Sequence, residues 1–165
     1  MTTQDSTITA NNSRHIYTDG AAPNNQSGCR LGGIGVAVLS GGNEIINMFK
    51  EAVIPQGGEV VTTNNRCEML ALIKALKVAQ PDDIIHSDNE LAVRGYNEWL
   101  AGWKARGWKK SNKKPVGNRD LWMIVDALKE VKPTVKVKWV RGHNGCYGNE
   151  LADQLANEAV IQAAT

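Results

Sequence analysis

The spacing of apolar residues changes abruptly near residue 64, and this change constrains the fold more than any other feature of the sequence. Before it, apolar residues alternate with polar ones, as in Arg14–Ala21 (RHIYTDGA), which is typical of a strand. After it, apolar residues from Met69 to Leu76 recur at helical spacing, and Pro81 ends the helix. A short apolar run, Asp83–Ser87, follows. Strand, helix and strand in this order predict a right-handed crossover between parallel strands.

The remaining segments extend this unit on both sides. Turn residues at Ser40–Asn43 separate two apolar stretches and predict a hairpin, so the first three strands would form an antiparallel meander. The predicted fold is α/β, a five-stranded mixed sheet of this meander plus two parallel strands, flanked by helices. The predicted strands are Arg14–Ala21, Gly33–Leu39, Glu44–Val53, Asp83–Ser87 and Thr134–Arg141, and the predicted helices are Asn65–Ala79, Asn89–Leu100, Asp120–Glu130 and Asn149–Ala164.

A chain of 165 residues with 42% hydrophobic and 22% charged residues predicts one globular domain, residues 14–162, after a disordered polar tail at residues 1–13. That tail has neither the basic start nor the apolar stretch of a secretory signal. No apolar run approaches the roughly 18 residues of a membrane span. The three cysteines form no CxxC pair, which fits a reducing compartment. These features predict a cytoplasmic protein that does not bind membranes.

Positive charge is concentrated between Arg94 and Arg119, which enclose eight bases and one acid, a net charge of +7 in a chain of net charge +2. Trp99, Trp103 and Trp108 are interleaved with these bases. Aromatic residues at this density in a basic segment favour a nucleic-acid surface, where lysines contact phosphates and rings stack. Trp99 and Trp103 could equally anchor this segment, here named the basic arm (residues 99–118), to the body of the domain.

Four acids are expected to meet at one edge of the sheet. Asp19 ends the first strand, Asp88 ends the fourth, and Glu68 opens the helix between them. Sites in open α/β sheets form beyond the carboxyl ends of strands, where the strand order reverses. Asp153, in the first turns of the last helix, can reach the same place. Each acid alone has an ordinary explanation as a turn, cap or surface residue, and only their convergence indicates a shared function.

Clustered carboxylates repel one another by roughly 4 kcal/mol per pair at about 4 Å and an effective dielectric of about 20, so they need protons or divalent cations. Oxygen ligands alone suit Mg²⁺ or Mn²⁺ rather than Zn²⁺. A pair of such ions about 3.5–4 Å apart is a common device for phosphodiester hydrolysis. His143, on a loop flanked by glycines, could transfer a proton near neutral pH beside such a site.

Together these motifs resemble type 1 ribonuclease H, the bacterial family that cuts RNA in RNA–DNA hybrids. The resemblance covers residues 14 to about 160. Its most specific parts are TTNNRCE at residues 62–68 and the tryptophan-rich basic arm. The matching motifs are Tyr17–Gly20 (YTDG), Thr62–Glu68 (TTNNRCE), Ser87–Asp88, Lys113–Val116 (KKPV), Asn118–Trp122 (NRDLW), Val140–His143 (VRGH), Asn149–Glu150 and Asp153.

The resemblance implies an endoribonuclease that depends on divalent metal ions. Asp19, Glu68, Asp88 and Asp153 would bind two Mg²⁺ ions, or Mn²⁺ in their place, when substrate is bound. His143 would act as a mobile general base or assist product release. One ion would activate the attacking water and the other would stabilise the leaving 3′-oxygen, giving 5′-phosphate and 3′-hydroxyl ends.

The resemblance also implies how an RNA–DNA hybrid is held by a monomer that needs no obligate protein partner. Thr63, Arg66 and Asn118 would bind a phosphate of the DNA strand. Asn64 and Asn65 would contact the minor groove, where 2′-hydroxyls distinguish RNA from DNA. The remaining implied residues are Trp99 and Trp122, which would line the groove for the DNA strand, and those of a basic protrusion, Lys104, Arg106, Lys109, Lys110, Lys113 and Lys114.

Two features depart from the family pattern. The loop after Asp19 (GAAPNNQSGCRLGG) is longer than usual, which leaves open whether Asn24 or Asn25 contacts substrate. Glu90 stands where relatives often carry a neutral residue, so weaker hybrid binding or an altered metal preference is expected. Two other functions stay open from the sequence: a non-catalytic nucleic-acid-binding module of the same fold, and a DNA-cutting nuclease of the same superfamily.

Overall fold

The structure, a computed structural model, describes residues 13–23, 31–54, 62–142 and 145–164. Its strands are β1 His15–Ala21, β2 Gly32–Leu39, β3 Ile45–Val53, β4 Ile84–Ser87 and β5 Lys136–Trp139. They form one sheet in the order β3-β2-β1-β4-β5. The β1–β2 and β2–β3 pairs are antiparallel, whereas β1–β4 and β4–β5 are parallel. The predicted five-stranded mixed sheet is confirmed, including the crossover that places the first strand beside the fourth.

Helices cover both faces of the sheet. They are α1 Asn64–Val78, α2 Glu90–Arg94, α3 Leu100–Ala105, α4 Arg119–Val131 and α5 Tyr147–Ala164, with a π-helical segment, Gly95–Trp99, between α2 and α3. Gly32 abuts Cys67 of α1 whereas its neighbour Gly33 abuts Ala156 of α5, so these two helices lie on opposite faces. Within the described ranges, no helix is long and apolar enough to cross a membrane.

Side chains cap α1 at both ends. Thr63 Oγ1 accepts a hydrogen bond from the backbone N–H of Arg66 at 3.0 Å, which satisfies one of the free amides at the start. Lys132 Nζ donates to three carbonyl oxygens at the other end, at 2.7–2.8 Å. Between these caps, the predicted apolar stripe from Met69 to Leu76 is buried. The start of α1, which carries candidate site residues, is therefore fixed relative to the core.

Gly35 of β2 lets α5 approach the sheet closely. A Cβ atom at this position would lie 2.1 Å from the carbonyl oxygen of Ala152, which is far inside van der Waals contact. Asp153 follows Ala152 in the chain. The close approach therefore brings Asp153 toward β1.

The predicted helix Asn89–Leu100 is wrong in detail, because the structure divides it and extends it to Ala105, into the basic arm. A π turn holds more residues than an α turn, so the apolar face that follows is rotated relative to a regular helix. Leu91, in α2, is 62% exposed, whereas Tyr96 and Leu100, in and after the π-helical segment, are buried.

The fourth helix and the last strand also differ from what the sequence pattern predicts. Helical spacing from Leu121 places Ile124 on the buried face of α4, yet Ile124 is 43% exposed, and Trp122 and Val125 are buried. The helix is turned because the Trp122 ring fills the space directly above Gly95, where a Cβ atom would lie 2.4 Å from the ring. The last strand spans only Lys136–Trp139 rather than Thr134–Arg141, and Trp139 is 50% exposed.

Candidate active site

Three carboxylates meet where β1 and β4 end. Asp19 lies near the end of β1, Asp88 directly follows β4, and Glu68 lies near the start of α1. One oxygen from each carboxylate lies within 4.8 Å of the other two. The parallel register, with Thr18 opposite Ser87, brings the strand ends to the same edge. The structure therefore brings together three of the four predicted acids, here named the acid cluster.

Gly20 permits this approach. A Cβ atom at this position would lie 2.4 Å from the carbonyl carbon of Cys67 and from the backbone nitrogen of Glu68, too close for nonbonded atoms. The Gly20 N–H also donates to Asp19 Oδ1 at 2.9 Å, and it forms a hydrogen bond with the Glu68 carboxylate. Any side chain at Gly20 would push α1 away from β1 and separate Asp19 from Glu68.

The electrostatics of the cluster favour a retained proton. Burial is the largest cause that raises the pKa of Asp19, and its hydrogen bond with Glu68 adds to the effect. Burial also raises the pKa of Glu68, as does the negative charge of Asp88, while the hydrogen bond with Asp19 opposes the shift. Without cations, Asp19 therefore keeps a proton more readily than an exposed carboxyl does and donates it to Glu68. A divalent cation would replace that proton.

Asp153 lies at the edge of the cluster. It forms a hydrogen bond with Asp19, but it does not belong to the group of oxygens within 4.8 Å. Asn157 Nδ2 donates to Asp153 Oδ1 at 3.3 Å, which holds the carboxylate near α5. His143 lies outside the described residues, so its role stays a prediction. Gly142, directly before it, abuts Asp88, since a Cβ atom there would lie 2.8 Å from Asp88 Oδ2.

The donor set fits a hard divalent cation. Among the described residues, the group offers only carboxylate oxygens, with no histidine or cysteine. Glu68 Oε2 is buried and has no hydrogen-bond partner among the residues that the structure describes, an arrangement that is costly unless a cation or proton lies beside it. Oxygen-only ligation suits Mg²⁺ or Mn²⁺. Asp19, Glu68, Asp88 and Asp153 are thus the residues that would hold such ions.

The residues predicted to bind a phosphate of the DNA strand lie around Arg66, which stands two residues before Glu68 in α1. Arg66 Nη1 donates to Asn118 Oδ1 at 3.3 Å. The guanidinium also pairs end-on with Asp120, through Nη1–Oδ1 at 3.1 Å and Nη2–Oδ2 at 2.6 Å, and this pairing lowers the pKa of Asp120. Thr63 Oγ1 is already an acceptor in the helix cap, so its hydroxyl proton is what it can offer a phosphate.

Sequence reasoning missed Asp120 as the partner of Arg66. Asp120 lies two residues after Asn118 in the motif NRDLW, but at a predicted helix start an acid has an ordinary explanation, since it interacts favourably with the helix dipole. The pairing links residues 54 positions apart, and only the tertiary structure shows it. Asp120 orients the guanidinium by its terminal nitrogens and leaves the Nε–H edge to other ligands.

The two asparagines predicted to contact the minor groove are both exposed at the start of α1. The Asn64 side chain accepts a hydrogen bond through Oδ1 from the backbone N–H of Ala22 at 2.8 Å. The Asn65 side chain accepts one through Oδ1 from Asn89 Nδ2 at 3.0 Å. Asn89, which sequence reasoning did not single out, therefore connects the start of α1 to the residue after Asp88.

Trp99 and Trp103 of the basic arm contact each other, and Trp103 also contacts Trp122 of α4. The ring centroids of Trp99 and Trp103 are 5.8 Å apart, and those of Trp103 and Trp122 are 5.1 Å apart. Arg94 lies over Trp99 at 4.9 Å from the ring centroid. Trp122 is only 5% exposed and packs against Trp103, and its predicted place in the groove for the DNA strand stays a prediction. Trp99 is half-buried and keeps part of its surface available.

The predicted basic protrusion divides into paired and exposed cations. Lys104 forms ion pairs with Asp126, at 2.9 Å, and with Glu130, so it is held by the body of the domain. Arg106 Nε donates to the carbonyl oxygen of Lys109 at 3.2 Å, which leaves most of the guanidinium exposed. Within the described part of the chain, no ion pair involves the four exposed lysines of the arm, which are Lys109, Lys110, Lys113 and Lys114.

Two tryptophans and two cations of the arm line one cavity of about 410 Å³. Trp99, Trp103, Arg106 and Lys110 line it, together with Glu98. Aromatic faces beside guanidinium and ammonium groups offer stacking and phosphate contacts in one place. The two readings of the arm, anchoring and binding, are therefore compatible: Trp103 packs against the core while the lysines face solvent.

Comparison with known proteins gives consistent matches along the whole described fold. A family model described as RNase H matches residues 11–161. Ribonuclease H of Ralstonia nicotianae is 47% identical over 147 residues, which cover 88% of this chain and 89% of the relative. Ribonuclease H of Cupriavidus pinatubonensis is 46% identical over 153 residues, which cover 91% of this chain and 97% of the relative.

Solved structures show the same arrangement of strands and helices. The crystal structure of LC9-RNase H1, described as a type 1 RNase H with the type 2 active-site motif, superimposes with a TM-score of 0.73 at 27% sequence identity. The superposition covers 92% of this chain and 73% of the other.

Proposed function

The chain belongs to the ribonuclease H family, and from this premise we propose that it hydrolyses the RNA strand of RNA–DNA hybrids with two divalent metal ions, Mg²⁺ or Mn²⁺, bound at the acid cluster. The observation that carries the proposal is the meeting of Asp19, Glu68 and Asp88 within 4.8 Å, with Asp153 hydrogen-bonded to Asp19. Carboxylates at this spacing are unstable together unless protons or cations neutralise them.

When bound, the ions supply a nucleophilic water at neutral pH and stabilise charge on the leaving 3′-oxygen, which would give 5′-phosphate and 3′-hydroxyl ends. The protein contributes a fixed set of ligands. Gly20 keeps Asp19 and Glu68 together, and the parallel β1–β4 pairing places Asp88 beside them. We propose that His143 serves as the mobile base, supported by the contact of Gly142 with Asp88.

Substrate positioning is proposed to depend on the first turns of α1. Thr63 and Arg66 would bind a phosphate of the DNA strand, with Asn118 completing the pocket, and Glu68 follows on the same helix. Because one rigid helix carries both groups, the distance from the DNA phosphate to the reacting RNA phosphate is fixed. Asn64 and Asn65, which lie between Thr63 and Arg66 in the chain, would lie along the minor groove, where RNA 2′-hydroxyls are accessible.

The exposed lysines of the basic arm, with Trp99, would contact the DNA strand beyond this pocket. We also propose that the protein acts as a monomer in the cytoplasm. The cysteines that the structure describes, Cys67 and Cys146, are free thiols, which supports a reducing compartment.

A substrate comparison tests the proposal. The protein should cleave an RNA–DNA hybrid in Mg²⁺, leave duplex DNA intact, and cut duplex RNA at least about a hundredfold more slowly, because the groove contacts require one strand of each kind. Chelation by EDTA should stop cleavage. Hybrid binding without cleavage in Mg²⁺ would instead identify a non-catalytic module, and efficient cutting of duplex DNA would identify a DNA nuclease of this superfamily.

Asp88→Asn tests the metal ligands. Cleavage of the hybrid should fall by at least about a thousandfold, since removing one carboxylate removes a ligand from the reaction centre. Glu150→Gln, which changes an exposed acid in the first turn of α5, provides the matched control and should keep the wild-type rate. Turnover of Asp88→Asn close to that of the wild type would overturn the assignment.

A further inference from the structure

We infer that Asn89 is a positioning residue, which turns the Asn65 side chain so that it meets the minor groove of the hybrid as a hydrogen-bond donor only, a role that rests on the proposed function. Three side-chain amides carry this inference. Two, Asn64 and Asn65, begin α1, and the third, Asn89, caps α2. Nothing in the sequence pattern distinguishes the oxygen from the nitrogen of these amides. Backbone N–H groups do so for Asn64 and Asn89, and Asn89 in turn does so for Asn65.

The direction of the Asn89 amide follows from a backbone donor. Its Oδ1 faces the backbone N–H of Ala92 at 3.1 Å. A backbone N–H can only donate, so the atom that faces it must be the oxygen. The other end of the amide, 3.0 Å from Asn65, is then the nitrogen. Because a side-chain NH₂ group can only donate, Asn65 has to present its own oxygen to Asn89.

The Asn65 side chain therefore directs its NH₂ group, a hydrogen-bond donor, away from the protein. Its Oδ1 is used by Asn89, and its NH₂ group is the end left for a ligand. Asn64 is fixed in the same sense, because the backbone N–H of Ala22 donates to its Oδ1 at 2.8 Å. Both side chains are exposed at the start of α1. Two consecutive amides therefore direct their oxygens into the protein and their NH₂ groups outward.

Outward donors match the minor groove in a way that tolerates any sequence. Purine N3, pyrimidine O2 and the oxygen of a 2′-hydroxyl are all acceptors, and every base pair offers acceptors in this groove. An amide with its oxygen outward would instead require a donor, which among the bases only the guanine amino group provides there. Fixing Asn65 as a donor thus favours binding to hybrids of any sequence.

The position of Asn89 links this contact to the acid cluster. Asn89 directly follows Asp88, and its backbone N–H donates to Ser87 Oγ at 3.1 Å. The same residue therefore holds the groove contact at Asn65 and continues the chain of a metal ligand. Loss of the Asn65 contact should therefore weaken substrate binding more than it slows the chemical step.

Asn89→Ser separates the two functions of the side chain. Serine caps helices about as well as asparagine, so α2 keeps its start, but serine cannot reach Asn65 with an NH₂ donor. We expect KM for the hybrid to rise about three- to tenfold, the effect of one lost hydrogen bond, while kcat changes less than about twofold. The melting temperature should stay close to that of the wild type.

Asn47→Ser is the matched control. Asn47 is exposed on the edge strand β3, and its Oδ1 accepts a hydrogen bond from the neighbouring backbone N–H of Met48, at 2.9 Å. The same chemical change there should leave KM unaltered. A rise in KM with Asn47→Ser equal to that with Asn89→Ser would show a nonspecific effect and overturn the inference.

A double-mutant cycle gives the decisive result. Asn65→Ala should raise KM about as much as Asn89→Ser, and adding Asn89→Ser to Asn65→Ala should have no further effect, because Asn89 acts only through Asn65. Independent effects that multiply, an unchanged KM in Asn89→Ser, or a loss confined to kcat would each contradict this role.

Measuring the dissociation constant of the hybrid in EDTA for the same four proteins keeps this test independent of cleavage. Failure of the proposed function appears as a wild type that does not cleave the hybrid. Failure of the positioning role appears as absent coupling between Asn89 and Asn65 in the dissociation constants, whether or not cleavage occurs.

Discussion

The acid cluster and the basic arm are built in opposite ways. Asp19 is 6% exposed, and Gly20 leaves no room for a single added carbon between β1 and α1. In the arm, Lys110 and Lys113 are exposed, and a Cβ atom at Gly117 would meet no atom within 4 Å. One region thus depends on atomic positions and the other on the presence of charge.

This difference indicates how each region contributes. Like charges held in the cluster reduce the stability of the fold in the absence of cations, and the same arrangement creates an affinity for them. The arm adds attraction to a polyanion that falls with salt and needs no fixed geometry. Substitutions should therefore affect rate and stability in the cluster, but affinity and salt dependence in the arm.

Among substitutions that compare the two regions, Gly20→Ala is expected to have the largest combined effect on cleavage rate and stability. The added carbon would lie 2.4 Å from the backbone of α1, so the helix must move and the carboxylates must separate. Hybrid cleavage should fall by at least about a hundredfold, as for a misplacement of about 1 Å. The free energy of unfolding should decrease by about 3 kcal/mol, as measured by urea denaturation.

Gly117→Ala makes the same change in the basic arm and serves as its control. Gly117 has a φ outside the left-handed region and open space around it. Its unfolding free energy and cleavage rate should match those of the wild type within error. Equal losses of cleavage rate and stability in both variants would mean that the close approach of β1 and α1 at Gly20 does not hold the carboxylates of the acid cluster together.

Asp19→Asn should stabilise the protein in EDTA at neutral pH. Burial raises the pKa of Asp19 above its ordinary value of 3.8, so its carboxyl favours folding when protonated and opposes folding as the pH rises. Removing the charge should add about 1–3 kcal/mol to the free energy of unfolding at pH 7, and this gain should disappear below about pH 4.

Asp126→Asn should change the free energy of unfolding at pH 7 in the opposite direction to Asp19→Asn. Asp126 pairs with Lys104 at 2.9 Å and lies outside the cluster, so loss of its charge should lower stability slightly at pH 7. Thermal unfolding of both variants in EDTA at pH 4 and pH 7 measures the contrast. A destabilised Asp19→Asn at pH 7 would show that repulsion within the cluster does not oppose folding.

Replacing the four exposed arm lysines with glutamine should weaken hybrid binding without changing the chemical step. KM should rise roughly tenfold at low salt, and the slope of log affinity against log salt should become shallower by about 2–3, since each lost phosphate contact removes about 0.7–0.9. The substituted residues are Lys109, Lys110, Lys113 and Lys114. Lys136→Gln, in β5, is the control, and an identical slope in all three proteins would remove the arm from the binding surface.

The smallest effect should come from Lys104→Gln. Lys104 is already paired with Asp126 and Glu130, so it contributes less free positive charge to the arm than Lys110 does. The salt slope should stay within error of the wild type, whereas Lys110→Gln should reduce it. A larger change in the slope for Lys104→Gln than for Lys110→Gln would mean that the phosphate contacts lie at α3 rather than at the exposed lysines of the arm.

Much of the scaffold could be predicted from local patterns. Alternation and turn residues placed β1 to β4 within one residue of their observed limits, because strand periodicity and turn chemistry are local properties. Strand order then predicted that Asp19 and Asp88 would share an edge. The convergence with Glu68 followed from the crossover helix between those strands.

The remainder depends on contacts between distant residues. The π-helical segment at Gly95–Trp99 accompanies the packing of Trp122 against Gly95, and no local period encodes that contact. The pairing of Arg66 with Asp120 and that of Asn65 with Asn89 also join separate elements. Each of these side chains has an ordinary local explanation, so only the tertiary structure identifies its partner.

The most direct measurement is a calorimetric titration of Mg²⁺ into the wild type, Asp19→Asn and Glu68→Gln. If the cluster exists to hold divalent ions, the wild type should bind Mg²⁺ and release protons, whereas both variants should bind at least about tenfold more weakly. Binding of equal strength in all three proteins would contradict the assignment of these carboxylates as metal ligands.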